Sequence, residues 1–599
     1  MELHNLSLQW DLDPIYDGGA TSEKLLQELR ELEEQLETIS RMLLTVDDQP
    51  EARQQWVQIT ALMQQCLLTI REAESFVSCL LAQYVADTAA QQLQDRIATL
   101  IARYTALTTV FDTKLLQLTD ERWGDLLLDP ALAEIAFYLE ERRLLAQQKL
   151  APELEEWTAQ LEIDGYHGWA EFYNSLAGRL QFQATDDQGQ PEFLSVGQMQ
   201  NRLSEADRTK REMVFAEWEK VWASHADLFA TVINRISGFR LKLYNKREWQ
   251  SVLKEPLFIN RMSAETLEAM WSAVSKGKQI LLPYLVRKAE LLGVDKLHWH
   301  DVEAPLAVSN RVMSYDEAAN FIVDQFAKFD GDMAQFSAMA LKKQWVEAED
   351  RPGKRAGGFC TSFPKTGETR IFMTYSGSMS NVSTLAHELG HAYHQHVMKD
   401  IAPFSQQYAM NVAETASTFA ELLVSDGALQ ATSNKEEKIA LLEDKIQRAV
   451  AFYMNIHARF LFETRFYEAR AKGFVQVEQL NQLMEQAQQE AYLGTIEQLH
   501  PHFWASKLHF YLTDVPFYNF PYTFGYLFSA GLYQYAKQDK SDFAKRYVAL
   551  LQDTGRMTVE QLAEKHLQVD LTKPDFWDAA AMLIEQDVAQ FLILTEQEK

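Results

Sequence analysis

The stretch Ser380-Asn381-Val382-Ser383-Thr384-Leu385-Ala386-His387-Glu388-Leu389-Gly390-His391-Ala392-Tyr393-His394-Gln395-His396 says more about this chain than any other. Leu385, Leu389, Ala392 and His396-Val397 recur at threes and fours, the spacing of a helix with one buried face. Ser380 to Ser383 supply N-cap residues just ahead of it. Positions i and i+4 of a helix share a face, so His387 and His391 can place two imidazole nitrogens on one metal. Glu388 follows the first of them and can lie beside the open coordination position. Two nitrogen ligands and a carboxylate able to take a proton from water are the parts of a zinc hydrolase. Gly390 costs roughly 1 kcal/mol against Ala inside a helix. A glycine there implies that something packs closely on the backbone.

A catalytic zinc keeps three protein ligands and one open position. The third is sought in Asn411 to Glu421, another helix-prone run behind a loop containing Pro403. Glu414 and Glu421 stand two turns apart and share a face. Glu414 would complete a His-His-Glu set, and Glu421 would hydrogen-bond a ligand imidazole. His394 is the competing ligand. It lies two turns from His387, about 10–11 Å of rise, which favours Glu414. His394 and His396 then read as partly exposed helix histidines. Glu388-x-x-His391 with Glu497-x-x-His500 also fits a carboxylate-bridged di-iron bundle. That reading leaves His387 unused, needs further carboxylates, and sets His500 against Pro501 at a helix end.

Just upstream, Gly358 to Phe363 and Thr369 to Tyr375 are β-prone, with Pro364-Lys365-Thr366-Gly367-Glu368 as the turn between them. A strand beside a metal helix can bind an extended peptide at its edge. Elsewhere helix dominates. Leu25, Leu26, Leu29, Leu32, Leu36, Ile39 and Leu43 follow the helical period, and similar patterns fill 50–120 and 130–160. The polar turn Asp186 to Pro191 divides a helical region, 1–190, from a catalytic region, 191–599. His298-Trp299-His300-Asp301 reads as a surface segment.

Apolar residues make up 47 % and charged residues 24 % of the 599, the values of a globular protein. A net charge of −28 argues against nucleic acid or an anionic membrane as partner. No apolar run approaches the roughly 20 residues that span a bilayer, and Met1-Glu2-Leu3-His4-Asn5 lacks the features of a signal peptide. Three cysteines, 66, 79 and 360, in so long a chain point to a reducing compartment, hence the cytoplasm. Cys360 reads as an inert apolar residue.

Near the C-terminus, His509-Phe510-Tyr511 precedes Pro516-Phe517-Tyr518-Asn519-Phe520-Pro521-Tyr522-Thr523-Phe524-Gly525-Tyr526. These residue types suit donors aimed at a developing oxyanion, and equally an aromatic core with tyrosine tips at the surface. Together with His387 to His394, the Glu414 to Glu421 segment and Trp10-Asp11-Leu12-Asp13-Pro14-Ile15-Tyr16, this stretch resembles the thimet oligopeptidase and oligoendopeptidase F family of zinc peptidases. The resemblance implies a mostly helical zincin-type fold with a small sheet beside the metal helix and two halves around a deep channel. It implies cleavage inside short peptides by one zinc ion. His387, His391 and Glu414 would be ligands and Glu388 the catalytic carboxylate. Tyr526 would stabilise the oxyanion, with His509, Tyr518 and Tyr522 as further candidates. The Gly-rich tyrosine loop of the thimet branch is replaced here by Pro516 to Pro521. A carboxypeptidase on a related helical scaffold would share the ligand set. A non-catalytic peptide-binding protein would need a defect in the motif, and none is visible.

Overall fold

A computed structural model describes residues 3–185, 189–306, 312–538 and 543–596. Asp186, Asp187 and Gln188, at the expected boundary, lie outside the described residues. Helix dominates, with two small sheets. The chain groups into two compact units. One comprises residues 1–149, 310–427 and 535–568, and the other 150–309, 428–534 and 569–599.

The first unit begins with three long helices, α1 (Glu23–Thr45), α2 (Arg53–Gln83) and α3 (Thr88–Gln117), each packed on the other two. The leucine series of α1 does what its period predicts. Leu25, Leu29, Leu32, Leu36, Ile39 and Leu43 are buried, and Leu26 sits at the margin. Asp87 caps α3 by accepting from the N–H groups of Ala89 and Ala90.

In the second unit, β1 (Phe182–Thr185) and β2 (Pro191–Leu194) form an antiparallel hairpin. The helix Ala264–Leu292 runs against Pro574–Leu594, where Tyr284 meets Phe591 edge-on.

The second sheet is in the first unit and has the strand order β3 (Val346–Glu347), β5 (Glu368–Phe372), β4 (Phe359–Phe363). The β4–β5 hairpin is the one expected from the sequence. The parallel strand β3 is an addition. Ile371 and Met373 donate to Trp345 and Glu347, and Phe363 accepts from Gly367. Alternation then turns the backbone groups of Phe359, Thr361 and Phe363 toward β5, and those of Cys360 and Ser362 toward the outer edge, where the Ser362 carbonyl accepts from Ser75 Oγ of α2 at 2.8 Å. Phe359, Phe363 and Phe372 join the core of α1 to α3. The N-terminal segment closes the far side. Trp10 packs on Phe372, and the buried Arg370 donates to the carbonyl of Asp11.

The helix read from the opening stretch is α4 (Met379–Met398). Its cap is Ser378, ahead of the expected Ser380–Ser383. Ser378 Oγ accepts from the N–H of Asn381 at 3.2 Å, and Asn381 Oδ1 accepts from Ser376, so the turn and the first helical turn hold each other. Gly377 makes the turn possible. Its φ is +91°, and a Cβ would lie 2.7 Å from Val312 Cγ1. A second helix, α5 (Thr415–Ala431), crosses α4 at Gly390. A Cβ there would lie 2.6 Å from the carbonyl oxygen of Ala416 and 2.7 Å from Ser417 Cα. This is the close approach that a mid-helix glycine implied.

Among the described residues no helix is long and apolar enough to cross a membrane.

Candidate metal centre

Helix α4 buries Val382, Leu385, Ala386, Leu389, Ala392 and Tyr393 and leaves His387 and His391 half-buried on the adjoining face. Their Nε2 atoms are 3.1 Å apart. Glu414, just before α5, brings Oε2 to 3.3 Å from His387 Nε2 and 3.4 Å from His391 Nε2. Four ligands placed tetrahedrally at 2.0–2.1 Å from zinc are roughly 3.3–3.4 Å from one another. The three donor atoms therefore already have the spacing that such an ion requires. They also all carry lone pairs, a convergence that a cation stabilises.

Two further groups hold these side chains in place. His387 Nδ1 lies 2.5 Å from Glu421 Oε1, which holds the proton on Nδ1 and frees Nε2. Ser417 Oγ donates to Glu414 Oε2 at 2.9 Å. Burial raises the Glu414 carboxyl, but its hydrogen bond to His391 and the charges of His391 and His387 outweigh this and bring it down to about 2. Glu414 is thus ionised, as a ligand must be. Sequence spacing anticipated Glu421; nothing in the sequence marked Ser417.

Glu388 points elsewhere on the same helix. It is buried, and its Oε2 has no hydrogen-bond partner among the described residues. Burial raises its carboxyl, the charges of His387 and His391 oppose that, and Glu414 adds to it. A Cβ on Gly358 would sit 3.4 Å from Glu388 Oε1, so the residue leading into β4 passes close to this carboxylate. A buried acceptor with an unused lone pair beside a metal site is suited to holding a proton taken from water.

Of the two neighbouring histidines, one differs from expectation. His394 is fully buried rather than partly exposed. Its Nε2 lies 3.2 Å from the carbonyl of Leu551 and 3.0 Å from Thr554 Oγ1, and its ring stacks on Tyr408. That arrangement takes it out of reach as a ligand. His396 is half-buried against Phe336. Burial pushes the Cys360 thiol well up, consistent with an inert residue.

His298, His300 and Asp301 form a second group of convergent donors, in the second unit. The surface reading fails here, because His300 and Asp301 are buried. Asp301 accepts from Arg208 and Arg211, so two cations already hold its carboxylate. His500 faces Glu219 and accepts from Trp218 at 3.2 Å. It is committed within its own unit, which removes the di-iron reading.

The aromatic cluster also lies in the second unit. His509 stacks on Tyr518 at 5.3 Å and meets Tyr522 edge-on at 6.0 Å. Burial, then Arg459 and Lys507, bring the imidazole down to about 4. It is neutral at ordinary pH. Tyr526 is buried and stacks on Phe452 at 4.6 Å, and burial raises its phenol. The residues expected to act together thus fall into two sets, one in each unit.

Comparison with known proteins agrees with the fold. The model of Peptidase family M3 matches residues 203–583, and that of Oligopeptidase F matches residues 114–182. Group B oligopeptidase PepB of Streptococcus agalactiae is 23 % identical over 596 residues, covering 97 % of this chain and 96 % of that one. Oligopeptidase PepF of Bacillus subtilis is 22 % identical over 412 residues, covering 67 % of this chain and 60 % of that one. Among solved structures, oligoendopeptidase-F from Enterococcus faecium superposes with a TM-score of 0.72 at 18 % identity, covering 96 % of this chain and 99 % of that one. A candidate peptidase from Chlamydophila abortus superposes with a TM-score of 0.82 at 20 % identity, covering 98 % and 99 %.

Proposed function

The chain belongs to peptidase family M3, and from that premise we propose that it is a zinc endopeptidase hydrolysing internal bonds of short oligopeptides. One observation carries the assignment. His387 Nε2, His391 Nε2 and Glu414 Oε2 converge at ligand spacing next to the buried, unpartnered carboxylate of Glu388. When bound there, zinc supplies Lewis acidity to the scissile carbonyl and to the attacking water. Glu388 takes the proton of that water and returns it to the departing amine. Glu421 keeps the His387 ring oriented throughout. An extended peptide adds to the outer edge of β4 at Cys360, whose backbone groups are turned outward. His509, Tyr518, Tyr522 and Tyr526 are proposed as donors to the oxyanion, a role supported by their residue types and by the neutral state of His509.

The decisive experiment compares the protein with its Glu388→Gln variant on an internally quenched peptide of about ten residues. Zinc is measured in both, and products are identified by mass. Internal cleavage by the parent alone, with zinc in both, is the expected result. Release of single C-terminal residues would instead make it a carboxypeptidase, and equal activity of the variant would remove Glu388 from the mechanism.

A further inference from the structure

The edge strand β4 leads away from Glu388 toward a cavity. Gly358, just before β4, passes beside Glu388, and Ser362 near its other end lines a cavity of about 500 Å³. Arg71, Ser75, Gln395, Gln406 and Tyr408 also line it. Helix α4 spans the same interval. Gln395 is seven residues beyond Glu388, roughly 10 Å at the helical rise. An extended peptide covers that distance in about three residues.

The cavity wall is built mainly of neutral polar groups, and Arg71 is its single cation. Arg71 stands half-buried on α2 and has no hydrogen bond or ion pair among the described residues. Glu74, the one carboxylate in the lining, lies one turn along α2, is exposed, and does not pair with it. Burial loosens the hold of Arg71 on its proton, while nearby Tyr408, Tyr104, Glu74 and Tyr138 oppose this. A guanidinium nevertheless remains charged at any working pH. A cation partly withdrawn from water without a counter-ion is costly, and a carboxylate meeting its planar fork relieves that cost. The wall is also tied to the metal helix. Gln395 donates to the hydroxyl of Tyr408, whose ring stacks on His394 at 4.4 Å.

We infer that Arg71 anchors a carboxylate of the peptide substrate about three residues from the scissile bond. The inference rests on peptide hydrolysis as proposed above. The carboxylate can be the C-terminus of a short peptide or an Asp or Glu side chain.

Matched quenched peptides separate these sources. One pair differs only in a free or amidated C-terminus, and another series exchanges Glu for Gln at each position around the cleaved bond. The parent should prefer the carboxylate member, and Arg71→Gln should lower kcat/KM on it by roughly 10- to 100-fold. The neutral members should be cleaved equally by both proteins, which also shows that the variant is folded. Loss of preference on amidation identifies the C-terminus, and loss on Glu→Gln identifies a side chain. Equal parent rates on all members, or equal loss on all of them in Arg71→Gln, would overturn the inference. If the parent cleaves none, the hydrolysis reading fails instead. Calorimetry with an N-acetylated tripeptide acid then decides for Arg71, because binding that survives Arg71→Gln unchanged rules it out as the anchor.

Discussion

Gly390→Ala tests whether the crossing of α4 and α5 sets the metal site. The new Cβ would stand 2.6 Å from the carbonyl oxygen of Ala416, whereas ordinary contact begins near 3.4 Å. The two backbones must therefore part by about 0.8 Å, since both neighbours are backbone atoms rather than flexible side-chain ends. Overpacking of this kind costs about 1–3 kcal/mol, and the better helix propensity of Ala returns about 1 kcal/mol. The variant should stay folded. The site is less tolerant. Glu414 lies two residues before Ala416, and metal–ligand distances hold to about 0.2 Å. A shift several times larger should weaken zinc binding by roughly 10- to 100-fold. Zinc competition against a chelator of known affinity measures this directly, with melting temperature as the control for folding. Gly124→Ala, where a Cβ meets nothing within 4 Å, should instead gain up to about 1 kcal/mol. Zinc affinity of Gly390→Ala within twofold of the parent would refute the argument.

Glu421→Gln keeps a partner for His387 Nδ1 but removes its charge, and should weaken zinc binding by about tenfold with little change in melting temperature; unchanged affinity would make that contact incidental. Tyr526→Phe should lower kcat while leaving KM nearly unchanged if its hydroxyl acts only in the transition state. Unchanged kcat would remove it from the mechanism. Glu463 is buried beneath the loop that carries Tyr518, where it accepts from Asn519. Burial pushes its carboxyl up to about 8 against the opposing effects of Arg240, Phe517 and Asn519. The native state therefore keeps a proton that the unfolded chain has released, so stability falls as pH rises from about 4.5 to about 8 and levels off above. Glu463→Gln should abolish that decline, with a gain above pH 8 of at most roughly 5 kcal/mol. Melting temperatures from pH 5 to 9 that run parallel for parent and variant would contradict it.

The parts legible in the sequence are those whose partners are close along the chain. The leucine series of α1, the β4–β5 hairpin, the His387–His391 pair and the Glu414–Glu421 spacing all follow from a period or a turn. Gly390 was legible as a close approach, though what approaches it was not. The misread features depend on distant partners. His394 is buried because Leu551 and Thr554, some 160 positions away, cover it. Asp301 is buried because Arg208 and Arg211 reach it across about 90. The cap moved to Ser378 because Ser380 and Ser383 are good N-cap types already inside the helix. Strand β3 is two residues long and exists only by pairing with β5, so it leaves no periodic trace.

The three-part composition of the unit that holds the metal centre has a consequence for how the chain is born. Leu3 bonds to Asn320, and the floor beneath His394 comes from residues 551–554. At a synthesis rate of about 5–20 residues per second, α4 would leave the ribosome roughly ten seconds or more before that floor exists. The nascent chain can close α1 to α3 on one another early, since those contacts are local. A fragment stopped before residue 535 would carry His387, His391, Glu388 and Glu414 yet lack the packing that steadies their helix. Competence to hold the ion at the right spacing is thus among the last properties the growing polypeptide acquires.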